Sequence, residues 1–434
     1  MRMAGVDVLR LRDFRLVFGA ALVSLLGDGM VPVALSFAVL DLTGSATDLG
    51  VVLAARSVAL VGSLLIGGVV ADRVSRRTVM VGADLVRLVG QGATGVLVVT
   101  GRASVAELVV SQACLGAATG FFNPASSGLI PLVAGDWLQQ GNSLRGMAMA
   151  AGNIAGPAIA GVLVVATSPG IALLIDAGSY GASALLLARV KPAMRGAAPT
   201  HRFVAELREG FAEFRARTWV WATIAAMSAI NAVAVAFPVL GALTARRQLG
   251  GAGAWALILV GQGVGSLVAG TALLHFKPRR PLLIGLLVGL VPALPMFLLA
   301  VPTSLALIVV AALIGGVGNM MFNTLWETTL QQHIPEAARS RVSSYDWFGS
   351  LAFQSVGFAL IGPFAAVVGT STALYICGGV DTALVAVLLT IRDIRMVPLN
   401  PAGFAGPDHD EQTDQMQWPQ PPVQAGEHQG RNTS

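Results

Sequence analysis

Apolar residues in this chain come in runs of roughly 20, separated mostly by short polar breaks, which is the length at which a helix spans a bilayer. Windows of about 19 residues predict twelve spans. They fall at 16–40, 47–71, 78–100, 104–123, 145–167, 171–189, 219–243, 254–275, 281–301, 303–326, 346–369 and 372–391. Two polar stretches interrupt this rhythm. Residues 190–218 are basic and divide six spans from six. Within them Phe203, Leu207, Phe211 and Phe214 recur every three or four positions, which predicts a helix lying on the membrane surface. Residues 398–434 are rich in Pro, Gln, Asp and Gly, lack periodicity and read as a disordered tail. The pattern predicts an all-α membrane protein of twelve transmembrane helices. It divides into a six-helix bundle over 1–189, a linker over 190–218, a second bundle over 219–397 and the tail.

Composition agrees with this. Of 434 residues, 55% are hydrophobic and 12% charged, where a soluble domain carries about 25% charged. The 51 glycines suit helices packed closely in lipid. Cys114 and Cys377 both fall inside apolar runs, so neither a disulfide framework nor a thiol metal site is expected. A net charge of +5 would suggest nucleic acid in a soluble protein. Here the positions of the charges point to membrane orientation instead. With twelve spans, 23 of the 28 Lys and Arg residues fall on one side, against Arg102, Arg246 and Arg247 on the other. The positive-inside rule then predicts a cell (inner) membrane protein with both termini and the linker in the cytoplasm. The Arg-rich start and the long apolar run after it do not read as a cleavable signal. Lys191 and Lys277 follow Val190 and Phe276, so no phosphate-binding Gly-Lys-Ser/Thr loop is present. No cofactor, metal or catalytic chemistry is expected, and the energy for transport would come from an ion gradient.

The halves echo one another. Gly152, Gly156 and Pro157 in span five correspond to Gly357, Gly362 and Pro363 in span eleven. Phe122-Asn123 in span four corresponds to Phe322-Asn323 in span ten. Parallel halves imply a pseudo-two-fold axis along the membrane normal, with a cavity that opens to either side by rocking.

Charges inside spans are the candidates for chemistry. Asp28 lies midway along span one between Gly27 and Gly29. A carboxylate there costs about 2.5–3.5 kcal/mol to insert, so it is expected to face the cavity as a proton carrier or cation anchor. Asp176 in span six reads equally as a coupling group or as a hydrogen-bonding group between helices, and Asp381 in span twelve as the latter. Asp84 and Arg87 are three apart, share a helix face and can neutralise each other, which suits support of a cytoplasmic latch. Glu327, near the inner end of span ten, is read as a gate or a solvated helix end. Gly152, Gly156, Pro157 and Gly161 are expected to bend span five against span eight. No histidine lies at a span centre, so any proton relay must use carboxylates.

After span two comes Gly68-Val-Val-Ala-Asp72-Arg73-Val-Ser-Arg76-Arg77. This resembles the loop motif of the major facilitator superfamily, Gly-x-x-x-Asp-Arg-x-Gly-Arg-Arg/Lys. Gly156-Pro157-x-x-Ala160-Gly161 resembles the glycine-proline motif of its antiporters. Arg12-Asp13-Phe14-Arg15, Gly27-Asp28-Gly29 and Leu42-Thr43-Gly44-Ser45-Ala46 are similar to the branch containing macrolide efflux pumps and enterobactin exporters. The resemblance covers about residues 10–395. The chain departs from it at Ser75 in place of the loop motif's central Gly, at Gln112 in place of a span-four Arg, and at Leu274 in the second loop copy. The resemblance implies that Asp72 meets the N-terminus of span eleven in the outward-facing state. Arg73, Arg76 and Arg77 would pair with carboxylates or lipid phosphates to complete a latch. It further implies a monomeric secondary active transporter that exports a small amphipathic drug, antibiotic or siderophore-like compound in exchange for protons. Proton-linked or facilitated uptake of a metabolite, and a non-transporting sensor on the same fold, remain open at this stage.

Overall fold

The computed structural model describes residues 7–191, 217–276, 278–301, 303–334 and 336–398, without the side chains at 65, 69, 71, 72, 336–341 and 344. The surface helix expected within the linker (203–216) and the tail beyond residue 398 lie outside the described residues, as does the side chain of Asp72. Among the described residues there is no strand.

The first span is broken. Helix α1 (Arg12–Asp28) ends in mid-span and α2 (Val31–Thr43) resumes after Gly29 and Met30. Then follow α3 (Ala46–Arg73), α4 (Arg76–Val99), α5 (Val105–Ala134), α6 (Leu138–Ala166) and α7 (Pro169–Leu187). The second half repeats the opening break, with α8 (Thr218–Ala234) and α9 (Ala236–Thr244) meeting at Val235, followed by α10 (Ala252–Leu273). The short helices α11 (Pro281–Val288) and α12 (Leu294–Leu299) flank a turn at Val291–Ala293. Long helices α13 (Leu305–His333), α14 (Glu336–Val368) and α15 (Thr370–Thr390) follow, with a single turn of helix at Arg392–Arg395 after them.

Among the described residues, eleven helical stretches are long and apolar enough to cross a membrane. One of them, Val105–Ala166, has 62 residues. As one rod it would measure about 90 Å, three times the hydrocarbon thickness. It folds back at Gly135, whose φ of 51° lies in the left-handed region, and so forms α5 and α6. The count is consistent with the twelve spans that hydropathy predicts.

Serine starts many of these helices. Ser104 caps α5 in a reciprocal capping box with Glu107. Ser75 caps α4 by accepting from the Thr78 N–H at 3.2 Å, with φ of −59°. The serine that departs from the loop motif thus sits in backbone that any residue adopts, and it fills one unpaired donor of the helix start.

The two halves meet along two seams. In one, α3 lies against α14. Thr47 abuts Gly362, Gly50 lies under the Phe358 carbonyl, and Ser355 donates to Ser57 at 2.7 Å. In the other, α6 crosses α10, with Gly253 near Val165, Gly161 on Ala256 and Gly263 on Asn153. All these contacts lie between mid-membrane and the end opposite Arg73, Arg76 and Arg77. At that arginine-poor end one apolar cluster joins Leu35, Val39 and Leu40 of α2 to Val239, Leu240 and Leu243 of α9 and Trp255 of α10. Above it Arg246 bonds Asp41 at 3.0 Å and Arg247 donates to the Gly44 carbonyl at 3.3 Å.

Candidate functional site

A buried polar cluster occupies the N-terminal half. The glycines around Asp28 put it there. A Cβ at Gly27 would strike Asp176 and Ser179 of α7, and one at Gly29 would strike Gly152 and Gly156 of α6. Without side chains at these positions, α1 wedges between α6 and α7 with Asp28 at its last turn. Tyr180 Oη donates to Asp28 Oδ1 at 2.7 Å, and Arg56 Nη2 of α3 stands 3.7 Å from the same oxygen. Arg56 Nη1 donates to Gln112 Oε1 at 3.4 Å. Gln112 Nε2 donates to Gln91 Oε1 at 3.2 Å, and Gln91 Nε2 to Asp176 Oδ2 at 2.8 Å. A chain of polar side chains therefore links Asp28, a third exposed, to Asp176, which is fully buried.

A second branch holds Asp84 and Arg87, 3.3 Å apart on α4 and both buried. Ser183 Oγ donates to Asp84 Oδ2 at 2.6 Å. The Arg87 guanidinium lies 4.4 Å from the Phe122 ring centre and 5.4 Å from that of Tyr180, within the range of a cation–π contact. Tyr180 thus touches both branches. The pair neutralises itself as its spacing predicts, but its partners place it in this interior cluster, two turns in from the latch arginines. Arg87→Ala should strip Asp84 of its charge partner and destabilise the protein by about 3–5 kcal/mol. The check is thermal unfolding of detergent-purified protein, and an unchanged midpoint would show that the pair contributes nothing.

Two of the latch arginines have partners within their own half. Arg76 donates to the Gly128 carbonyl of α5, and Arg77 Nη2 to the Ala188 carbonyl at 2.6 Å. Ala188 caps the C-terminus of α7, where a cation complements the helix dipole. Arg73 is exposed, and Gly68 has open space where a side chain would stand. Of the span-five glycines, Gly152 and Gly156 press on α1 while Gly161 faces α10. Only Gly161 meets span eight, because Gly152 and Gly156 are used to admit the Asp28 turn. Pro157 sits inside an unbroken α6.

The C-terminal half holds a cavity of about 350 Å³, within the range of small-molecule sites. Phe237, Phe322 and Trp326 supply aromatic wall, and Asn231, Gln262, Asn319 and Gln354 supply neutral polar groups. Glu327, Asp346 and Asp381 also line it. Trp326 Nε1 donates to Asp346 Oδ2 at 2.9 Å. Asp381, expected to bond between helices, instead lines this cavity. Glu327 is not at a helix end, since α13 continues to His333.

Sequence reading missed Gln91, Tyr180, Ser183, Asp346 and Arg56 as site residues. A signal existed for the first three. Asp84, Arg87, Gln91 and Thr94 on α4 recur every three or four residues, and Asp176, Ser179, Tyr180 and Ser183 on α7 fall at i, i+3, i+4 and i+7. Polar residues at that spacing in an apolar span form one helix face turned from lipid.

The family model described as Major Facilitator Superfamily matches residues 17–358. The multidrug efflux pump Tap of Mycobacterium tuberculosis is 30% identical over 415 residues, which cover 88% of this chain and 95% of the pump. The enterobactin exporter EntS of Escherichia coli is 27% identical over 414 residues, 89% of this chain and 94% of the exporter. Among solved structures, the nucleoside transporter NupG superposes with a TM-score of 0.73 at 14% identity, covering 87% of this chain and 98% of its own. The peptide transporter POT does so at 0.73 and 15%, covering 91% and 100%. At such identities the structural likeness is one of fold. Together with the near-full-length relatives and the family match, it makes the chain a multi-pass membrane transporter that belongs to the Major Facilitator Superfamily.

Proposed function

We propose that the chain exports a small amphipathic compound, a drug or siderophore-like metabolite, in exchange for protons by alternating access. The efflux relatives support the direction and the substrate class. The Asp28 cluster is the observation that carries the coupling. It gathers three carboxylates, Asp28, Asp84 and Asp176, around two guanidiniums, Arg56 and Arg87. If all five ionise, one negative charge is left over in a low-dielectric interior, and one proton removes it. Asp28 is a third exposed and Asp176 is buried, so on this reading Asp28 is the group that exchanges the proton. One proton moving down 100 mV supplies about 2.3 kcal/mol, roughly 50-fold accumulation.

The arginine bias supports a cytoplasmic location for the end bearing Arg73, Arg76 and Arg77. The seams join the halves at the other end. On this reading the described state is closed to the outside.

The test is transport of a compound panel into inverted membrane vesicles. A pH gradient should drive accumulation, and a protonophore should end it. Accumulation unchanged after the gradient collapses would sink proton coupling. In intact cells of the same strain, a cysteine at position 102 should react with an impermeant reagent and one at position 77 should not. Equal reaction at both would reverse or abolish the proposed orientation.

A further inference from the structure

The two polar regions differ in how their charges are met. In the N-terminal cluster guanidiniums face the carboxylates. In the C-terminal cavity Glu327, Asp346 and Asp381 share one space, and no lysine or arginine is among its described lining residues.

Asp381 is the informative member. It is 3% exposed and lines the cavity, yet it has no hydrogen-bond or ion-pair partner among the described residues. Burial of a carboxylate is offset by donors, by a positive charge or by uptake of a proton. Among the described residues no donor or positive charge of the wall is bonded to Asp381, so a cationic guest in the cavity would supply its complement. The other two carboxylates point the same way. Asp346 uses Oδ2 for the Trp326 indole, which leaves Oδ1 for another donor. Glu327 lines the same cavity as Asp346, and a cation held between two carboxylates offsets their mutual repulsion. Phe237, Phe322 and Trp326 add aromatic faces beside the carboxylates, a combination that favours organic cations over bare metal ions.

We propose that this cavity takes an amphipathic organic cation, with its ammonium or other onium group held by Asp381, Glu327 and Asp346 and its apolar body on Phe237, Phe322 and Trp326. The proposal rests on the transport reading and narrows its substrate class. It also divides the work, with substrate charge read in the C-terminal half and the proton handled in the N-terminal half.

The test is equilibrium binding to the full chain in lipid nanodiscs at neutral pH, with no gradient and with protein-free discs subtracted. The probes are tetraphenylphosphonium and tetraphenylborate, which carry the same four phenyl groups and opposite charges. The phosphonium should bind saturably and at least roughly tenfold tighter than the borate. Asp381→Asn should weaken phosphonium binding by about tenfold, and Glu327→Gln severalfold. Borate binding as tight as phosphonium would overturn the proposal. So would a phosphonium affinity unchanged in both variants. If Asp381→Asn fails to fold, the charge comparison on the unaltered chain and the Glu327→Gln variant still decide. Binding without a gradient does not depend on proton exchange. Failure of coupling in vesicles would leave this result standing, and failure here would leave the vesicle result standing.

Discussion

Asp28→Asn should reduce gradient-driven accumulation from roughly 50-fold per proton to no accumulation, while the protein still folds and still equilibrates its substrate. Asparagine keeps the shape of the side chain and an oxygen to accept from Tyr180 Oη, which stands 2.7 Å from Asp28 Oδ1. The α1 turn between α6 and α7 is therefore preserved. What is lost is the ability to take up and release a proton, together with the negative charge opposite Arg56. Removing that charge leaves two carboxylates for two guanidiniums, a neutral set that has no use for a proton. The measurement is accumulation in inverted vesicles, paired with substrate counterflow in the absence of a gradient. Counterflow should persist. Accumulation equal to that of the parent would remove Asp28 from the coupling mechanism.

Gly50→Leu should open the end that the structure shows closed. A side chain at Gly50 would run into the backbone carbonyl of Phe358 on α14, and Gly362 nearby packs as tightly on Thr47. Overpacking of this kind costs roughly 1–3 kcal/mol, or five- to over a hundredfold in an equilibrium. The cost falls only on the state in which α3 and α14 meet there, so it shifts the population toward the alternative state. Substrate turnover should fall by a similar factor, because each cycle has to pass through the penalised state. The readout is a short bifunctional cross-link between cysteines at positions 41 and 246, in a background lacking Cys114 and Cys377. Asp41 and Arg246 touch across the halves in the closed state, so the yield should drop in the glycine variant. An undiminished yield would show that this seam does not govern closure.

The spans were legible in the sequence because lipid enforces a length and a polarity that few other environments do. The partners across helices were not. In water an apolar stripe marks the buried face of a helix, but here lipid and interior are both apolar and the stripe vanishes. Asp84 and Arg87 could be paired from spacing alone. Ser183, 99 residues away, could not. Span limits also misled where helices outrun the membrane. Residue 346 falls at the predicted start of span eleven, so Asp346 reads as an edge residue. Helix α14 in fact begins at Glu336, which places Asp346 nearly three turns inside it and against the cavity. The same effect made Glu327 look like a terminus. The loop motif was legible as a motif. Arg76 and Arg77 hold backbone carbonyls of α5 and of the α7 C-cap, which no residue pattern encodes, since every residue has a carbonyl.

The exposed Asp41–Arg246 pair has a kinetic corollary. A surface ion pair contributes about 0–1 kcal/mol and is screened over a Debye length of about 8 Å at physiological ionic strength. The methyl groups packed beneath it at Leu40 and Leu240 are indifferent to such screening. Dwell time of the shut mouth should therefore shorten in concentrated brine and lengthen in dilute medium, so that the salinity bathing that one face acts as a pacing device on the cycle.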